Sequence, residues 1–279
     1  MTRRLLPVLL VLVLVEGARA ADPSPDVTKS PPPEEFLIIP LRVHVLTGDA
    51  TEVDCKLTEA DVERIVGKVN RVWAFAGIYF GLESIAHEPA ARVDQFKRVR
   101  DEIGAAPLGL FRILRPDDTR AFDGLNVYYV HKLPVNGVYM GEDYAIVQET
   151  ARLREVEGGI DEPLPRVTSH ELGHALGLPH RQDRTNLMAS GTTGTLLSEA
   201  EVKVARGKAS KIKGALSYPD CVKRAGGDER ARRWAESIRC GAGFQPASPE
   251  NGRPEARTTI KRASPSRSAA RSSARSAAG

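Results

Sequence analysis

Residues 169–180 read SHELGHALGLPH, and this stretch constrains the fold of the chain more than any other. His170 and His174 are four residues apart, so on an α-helix their imidazoles project from the same face, one turn apart. Gly177 can take the left-handed conformation that ends a helix, and His180 then follows on the turned chain. The spacing predicts that three imidazoles meet at one point, with the carboxylate of Glu171 beside them.

Three protein ligands with an open fourth position are typical of a catalytic zinc, whereas structural zinc sites are closed by a fourth protein ligand. We therefore predict His170, His174 and His180 as metal ligands. We predict Glu171 as the general base that takes a proton from a zinc-activated water, a chemistry that suits peptide bonds. A bare H-E-x-x-H also arises by chance on amphipathic helices, but Gly177 and His180 at fixed offsets argue against that alternative.

The stretch resembles the signature of the metzincin metallopeptidases, H-E-x-x-H-x-x-G-x-x-H followed by a methionine turn. Every fixed position is filled, and RTNLMASG places Met188 eight residues after His180. The resemblance implies that Met188 forms an apolar floor beneath the zinc. It extends over residues 36–215, where IPLRVHVLTG, VNRVWAFAGI and LLSEAEVKVAR are similar to the matrixin-like bacterial branch. In that family NGVYMG would be the edge strand that pairs with a protein or peptide substrate in extended conformation.

Two positions depart from the better-known subfamilies. Arg181, the residue after the third histidine, matches none of them, and Ser190 stands where some have a tyrosine. No cysteine-switch motif precedes the domain. The subfamily, the cleavage specificity and any latency mechanism therefore stay open.

The hydrophobic pattern predicts an α/β (α+β) fold: a twisted mixed sheet of four or five strands, an active-site helix, the methionine turn and a C-terminal helix. Thr58 and Asp61 suit the start of one helix, and Ser198 and Glu201 form a capping box for another. The predicted strands are 36–48, 78–85, 125–133, 136–141 and 144–149. Helical segments are expected after Thr58, near 91–102, around Pro165 to Leu176 and after Ser198.

The ends of the chain have different compositions. Residues 1–20 have a basic start, an apolar run and an A-x-A end, which predicts a signal peptide rather than a buried helix or membrane anchor. We predict a Pro-rich linker at 21–35, the catalytic domain at 36–217, a small appendage that a disulfide could close at 218–243, and a disordered basic Ser/Ala/Arg tail at 244–279. The chain is thus expected to be secreted, to the medium or the periplasm.

The charge distribution limits the kinds of binding partner that we expect, and the cysteines leave their pairing undetermined. Seven basic residues and one acidic residue stand from Asn251 onward, while the whole chain has a net charge of +4, so the basic character belongs to the tail. We expect no nucleic-acid partner, no transmembrane anchor and a monomer; attachment of the tail to an anionic surface is a weaker alternative. Cys55, Cys221 and Cys240 leave the pairing open. The acidic loop 115–124 is a weak candidate for structural calcium, which family members often bind.

The favoured function is an exported zinc-dependent endopeptidase. One alternative replaces His180 with Glu199 or Glu201 as the third ligand, as in gluzincins. Another keeps the zinc but not the cleavage, leaving a catalytically silent zinc-binding or interaction module; the presence of Glu171 speaks against it.

Overall fold

Five strands form a mixed sheet in the computed structural model, which describes residues 26–241. The strands are β1 (Leu37–Thr47), β2 (Ile78–Pro89), β3 (Leu125–Val130), β4 (Gly137–Tyr139) and β5 (Tyr144–Gln148). Their order is β2-β1-β3-β5-β4, and every pair is parallel except β4 with β5. A two-residue strand, β6 (Leu216–Ser217), pairs antiparallel with the start of β1. The predicted α/β fold with a mixed sheet is confirmed.

Within residues 26–241 the structure has six α-helices. They are α1 (Glu59–Trp73), α2 (Val93–Ile103), α3 (Pro163–Ala175), α4 (Glu199–Ala209), α5 (Tyr218–Arg224) and α6 (Glu229–Arg239). Two begin where their caps predict: the Thr58 side chain accepts from the Asp61 amide, and the Ser198 side chain from the Glu201 amide. In both, the acidic side chain bonds back to the cap amide, which satisfies two helix-end donors at once.

The core lies on both faces of the sheet. On one face α1 and α3 pack through a cluster that includes Val69, Trp73 and Leu172. On the other face α2 and a 3₁₀ segment, Leu108–Leu114, pack around a second cluster. Because both faces are covered, β1 and β3 are apolar along nearly their whole length, and α3 is held against the sheet with one side turned to a cleft beside β4.

The segment after residue 217 folds onto the domain. Trp234 of α6 packs its ring on Gly81 of β2, where an added Cβ would lie 2.6 Å from the ring, and its Nε1–H donates to Leu82 O at 3.3 Å. No disulfide closes this segment, because Cys221 is a buried free thiol and Cys240 is an exposed one; Cys55 is free as well. In this structure apolar packing, rather than a disulfide, holds the segment.

The described part of the predicted linker also contacts the domain. The Val27 amide donates to Leu197 O at 2.8 Å, and Arg206 of α4 donates to Glu35 O at 2.7 Å. Residues 26–35 thus differ from a free linker. The predicted signal peptide and basic tail lie outside the described residues. Within the described part of the chain, no helix combines the length and apolar character needed to cross a bilayer.

Candidate metal centre

Helix α3 carries the first two histidines and ends where the glycine predicts. Pro163 opens it at the first helical position, where its missing N–H costs nothing. Gly177 has φ +83°, and the Leu178 amide donates back to Gly173 O at 3.0 Å. This left-handed turn reverses the chain and brings His180 back toward His174.

The three imidazoles converge. His174 Nε2 lies 3.2 Å from His170 Nε2 and 3.1 Å from His180 Nε2. The three side chains form the one group of at least three potential metal ligands found among residues 26–241. His170 is buried, His174 is half-buried and His180 is exposed, so the group opens from the core toward solvent.

Hydrogen bonds at Nδ1 of His170 and His174 leave the Nε2 lone pair of each ring available to a metal ion. His174 Nδ1 lies 2.8 Å from Leu178 O, and His170 Nδ1 lies 2.9 Å from Leu187 O. A carbonyl only accepts, so each Nδ1 carries the proton and each Nε2 presents its lone pair. Burial lowers the pKa of His170 to about 3 and lowers that of His174, which keeps both rings neutral.

This donor set fits zinc. Two nitrogens bound at about 2.0–2.1 Å in tetrahedral geometry lie about 3.3–3.4 Å apart, close to the observed separations of 3.1 and 3.2 Å. Among the described residues, no fourth histidine, cysteine or carboxylate joins the group. The arrangement is thus that of an open site.

Glu171 lies beside the histidines on the same helix and is 5% exposed. Burial raises the pKa of its carboxyl to about 7, against the opposing effects of a hydrogen bond from the Tyr139 amide and the charge of Arg166. A carboxyl group with this pKa can both accept and release a proton near neutral pH. Its position against β4 fixes it at the edge of the cleft.

The methionine turn lies directly under the helix. Met188 is fully buried, and a Cβ on Gly173 would lie 2.5 Å from its Sδ. Gly173 lies between His170 and His174 in the sequence. Because it has no side chain, Met188 can contact the helix at this position. Met188 is placed as the apolar floor that the resemblance implied.

Arg166 is a buried residue of this site that the sequence pattern did not indicate. Its guanidinium donates to Gly194 O at 3.0 Å, Ala189 O at 2.5 Å and Asn186 O at 3.3 Å. These bonds attach α3 to the turn that carries Met188. Its Nη1 also lies 3.0 Å from His170 Nδ1, which would require the opposite tautomer from the bond to Leu187 O; a metal on Nε2 selects the bond to Leu187. Burial lowers the pKa of Arg166 to about 10, so it stays charged at neutral pH.

The alternative third ligands are placed elsewhere. Glu201 is buried, and its carboxylate accepts hydrogen bonds from Arg181, Asn186 and Ser198. Glu199 is exposed and does not line the cleft. His180, not a glutamate, meets His170 and His174, and this geometry argues against the gluzincin alternative.

The histidines and Glu171 line a cleft of about 790 Å³ between α3 and the edge strand β4. Val138, Leu153 and Val167 give it apolar walls, and Ser190 and Gly191 border it on the side of the methionine turn. Gly137 allows the close approach of β4 to α3, since a Cβ there would lie 2.7 Å from Val167 Cγ1 and 3.0 Å from Glu171 Oε1.

The other polar groups singled out in the sequence lie in ordinary surroundings. His44 is buried against Glu88 and Asn126, and His131 pairs with Glu149. In the acidic loop 115–124, Asp117 pairs with Arg115, and no metal-ligand group was found there among the described residues. The calcium expectation therefore has no support.

A family model described as Matrixin matches residues 94–212. The match covers α3, the three histidines and the methionine turn, and it confirms the resemblance to a metzincin-like zinc peptidase. Zinc is the metal that both this match and the histidine triad support. The sequence matches no curated protein.

Several solved structures are similar over much of the chain. Mirolysin in complex with compound 9 is 13% identical, with 73% of this chain and 97% of that one covered and a TM-score of 0.41. Archaemetzincin from Methanopyrus kandleri is 18% identical, with 62% and 96% covered and a TM-score of 0.39. Metalloproteinase-II from Bacteroides fragilis is 12% identical, with 65% and 55% covered and a TM-score of 0.36.

Proposed function

We propose that this chain is an exported zinc-dependent endopeptidase in which His170, His174 and His180 hold the zinc and Glu171 is the general base. The observation that carries the proposal is the meeting of three imidazole Nε2 atoms beside a buried carboxyl group, at the wall of an open cleft. Export is inferred from the sequence of residues 1–20 alone.

The edge strand supports cleavage within a chain rather than at its end. β4 is the last strand in the sheet order and pairs with β5 alone among the described strands. Its other edge is available to an extended peptide, which would bind by main-chain hydrogen bonds and run past Glu171. This mode of binding recognises backbone on both sides of the scissile bond and needs no free terminus.

The residues of this chain divide the chemical work. When bound, zinc polarises the scissile carbonyl and lowers the pKa of a water molecule. Glu171 accepts a proton from that water as its oxygen bonds to the carbonyl carbon, and delivers the proton to the amide nitrogen as the C–N bond breaks. The Tyr139 amide orients the carboxylate, and Met188 and Arg166 hold the floor under the ligands.

The test combines metal content with the positions of the cuts. Purified chain lacking residues 1–20 should contain one zinc per molecule and cleave a denatured protein at internal bonds, read by mass spectrometry of the products. The variant His180→Ala should lose zinc, whereas Glu199→Ala should retain it. Release of single terminal residues only would contradict the endopeptidase mode, and full zinc in His180→Ala would contradict the ligand assignment.

A further inference from the structure

Arg181, the residue that matches no well-known subfamily, makes an ion pair largely shielded from water. Its Nε–H donates to Glu201 Oε1 at 2.8 Å. The Arg181 side chain is 13% exposed and that of Glu201 is 1% exposed. A pair at this depth is costly to desolvate, and well-packed apolar residues would often stabilise the fold as well. Stability alone therefore does not account for this ion pair, and its position next to His180 indicates a role at the metal site.

The same carboxylate connects three parts of the site. Glu201 Oε2 accepts from Asn186 Nδ2 at 2.8 Å and from the Ser198 amide at 2.8 Å, where it completes the cap of α4. Asn186 in turn accepts from the Met188 amide at 2.7 Å, and the Arg181 amide donates to Met188 O at 2.9 Å. Glu201 thus connects the chain at His180, the methionine turn and the start of α4.

His180 is the ligand that most needs such support. Its two partners lie on a helix, and each donates its Nδ1–H to a carbonyl. His180 lies on the loop after α3 and is exposed, and within residues 26–241 the polar contact of its ring is that of Nε2 with His174 Nε2 at 3.1 Å. Its ring is therefore positioned through the backbone, and Arg181 is the next residue along that backbone.

We propose that Arg181 is a positioning residue, which with Glu201 holds the chain at His180 so that its imidazole completes the zinc site. This inference rests on the proposed function, because it takes the three histidines as the zinc ligands. Partners that orient metal ligands from outside the coordination sphere typically contribute 10- to 100-fold in metal affinity. Arg181→Gln should accordingly raise the zinc Kd about 10- to 100-fold.

The experiment measures zinc Kd by chelator competition, the absorption spectrum of the cobalt-substituted protein, and the Tm of the metal-free protein. Arg181→Gln and Glu201→Gln should each weaken zinc binding and alter the cobalt spectrum, and Arg181→Lys should recover part of the affinity. In the double variant the losses should not add, because the two side chains act through one contact.

Arg206→Gln is the matched control. Arg206 also lies on α4, and within residues 26–241 it donates to backbone carbonyls, those of Ala76, Gly77 and Glu35, rather than to the loop at His180. This variant should lower the Tm of the metal-free protein and leave the zinc Kd unchanged.

Two results would overturn the positioning role. One is a wild-type zinc Kd in Arg181→Gln and Glu201→Gln despite a lower Tm. The other is an equal loss of affinity in Arg206→Gln, which would make the effect one of general destabilisation. Wild-type protein without zinc would overturn the proposed function itself, and the inference with it. If Arg181→Gln does not fold, the zinc Kd and cobalt spectra of Arg181→Lys and Glu201→Gln test the positioning role.

Discussion

The Gly137→Ala variant tests whether the edge strand positions the catalytic carboxylate. An added Cβ would lie 2.7 Å from Val167 Cγ1 and 3.0 Å from both Cγ and Oε1 of Glu171. Ordinary carbon contacts are about 3.5–4.0 Å, so β4 or the Glu171 side chain has to shift by roughly 0.5–1 Å. β4 is at the end of the sheet order and pairs with β5 alone among the described strands, so it is the element that moves.

Two costs set the magnitude of this effect. Overpacking of this kind costs about 1–3 kcal/mol of stability. Breaking the hydrogen bond from the Tyr139 amide to the Glu171 carboxylate removes about 1.5–3 kcal/mol, the typical contribution of a hydrogen bond to a charged group. We therefore expect kcat/KM to fall about 10- to 150-fold. Zinc content should not change, because no ligand lies on β4.

Gly67→Ala is the control for this prediction. Gly67 is exposed on α1 with nothing within 4 Å of an added Cβ, so the substitution should stabilise the protein by about 0.5–1 kcal/mol and leave kcat/KM unchanged. Peptide cleavage under kcat/KM conditions, zinc analysis and thermal unfolding give the three readouts. A kcat/KM within about twofold of wild type in Gly137→Ala, despite a lower Tm, would refute the link between β4 and Glu171.

Two further predictions concern stability. Hydrogen bonds from Thr58 lower the pKa of Asp61 to about 2, so the folded state favours its carboxylate. The resulting stabilisation is present above about pH 4 and lost as the pH falls through about 2. Because the Asp61 side chain is partly exposed and screened by water, we expect about 0.5–1 kcal/mol. Urea unfolding of wild type and Asp61→Asn should therefore differ at pH 6 and converge near pH 2, and a constant difference would contradict the assignment. Trp234→Ala should destabilise the whole domain by about 3–5 kcal/mol in a single urea transition, because the ring packs on β2; an unchanged main transition would show that 218–241 unfolds separately.

Local signals predicted much of the fold. The caps at Thr58 and Ser198 and the glycine at Gly177 act within a few residues, and each lies where the sequence placed it. The convergence of the three histidines follows from helix periodicity and one left-handed turn, so it too is encoded locally. These features depend little on the rest of the chain.

Contacts between distant residues could not be read from the sequence. In the sequence Arg166 is one polar residue in a helical pattern. Its role is visible only in the fold, where it donates to the carbonyls of Asn186, Ala189 and Gly194. The proposed role of Arg181 likewise depends on Glu201, which the sequence presented as a helix cap and as an alternative ligand, not as a partner of Arg181. Cys221 and Cys240 are near in sequence, yet α5 and α6 leave one buried and the other exposed.

The central claim is that a zinc site with Glu171 as its base cleaves peptide bonds. The most direct measurement is zinc content together with the rate of peptide cleavage for wild type, Glu171→Gln and the exposed-glutamate control Glu199→Gln. We predict one zinc in all three proteins, with cleavage lost only in Glu171→Gln. Cleavage at the wild-type rate by Glu171→Gln, or an active wild type without zinc, would contradict the claim; zinc in all three with cleavage by none would identify a silent binding module.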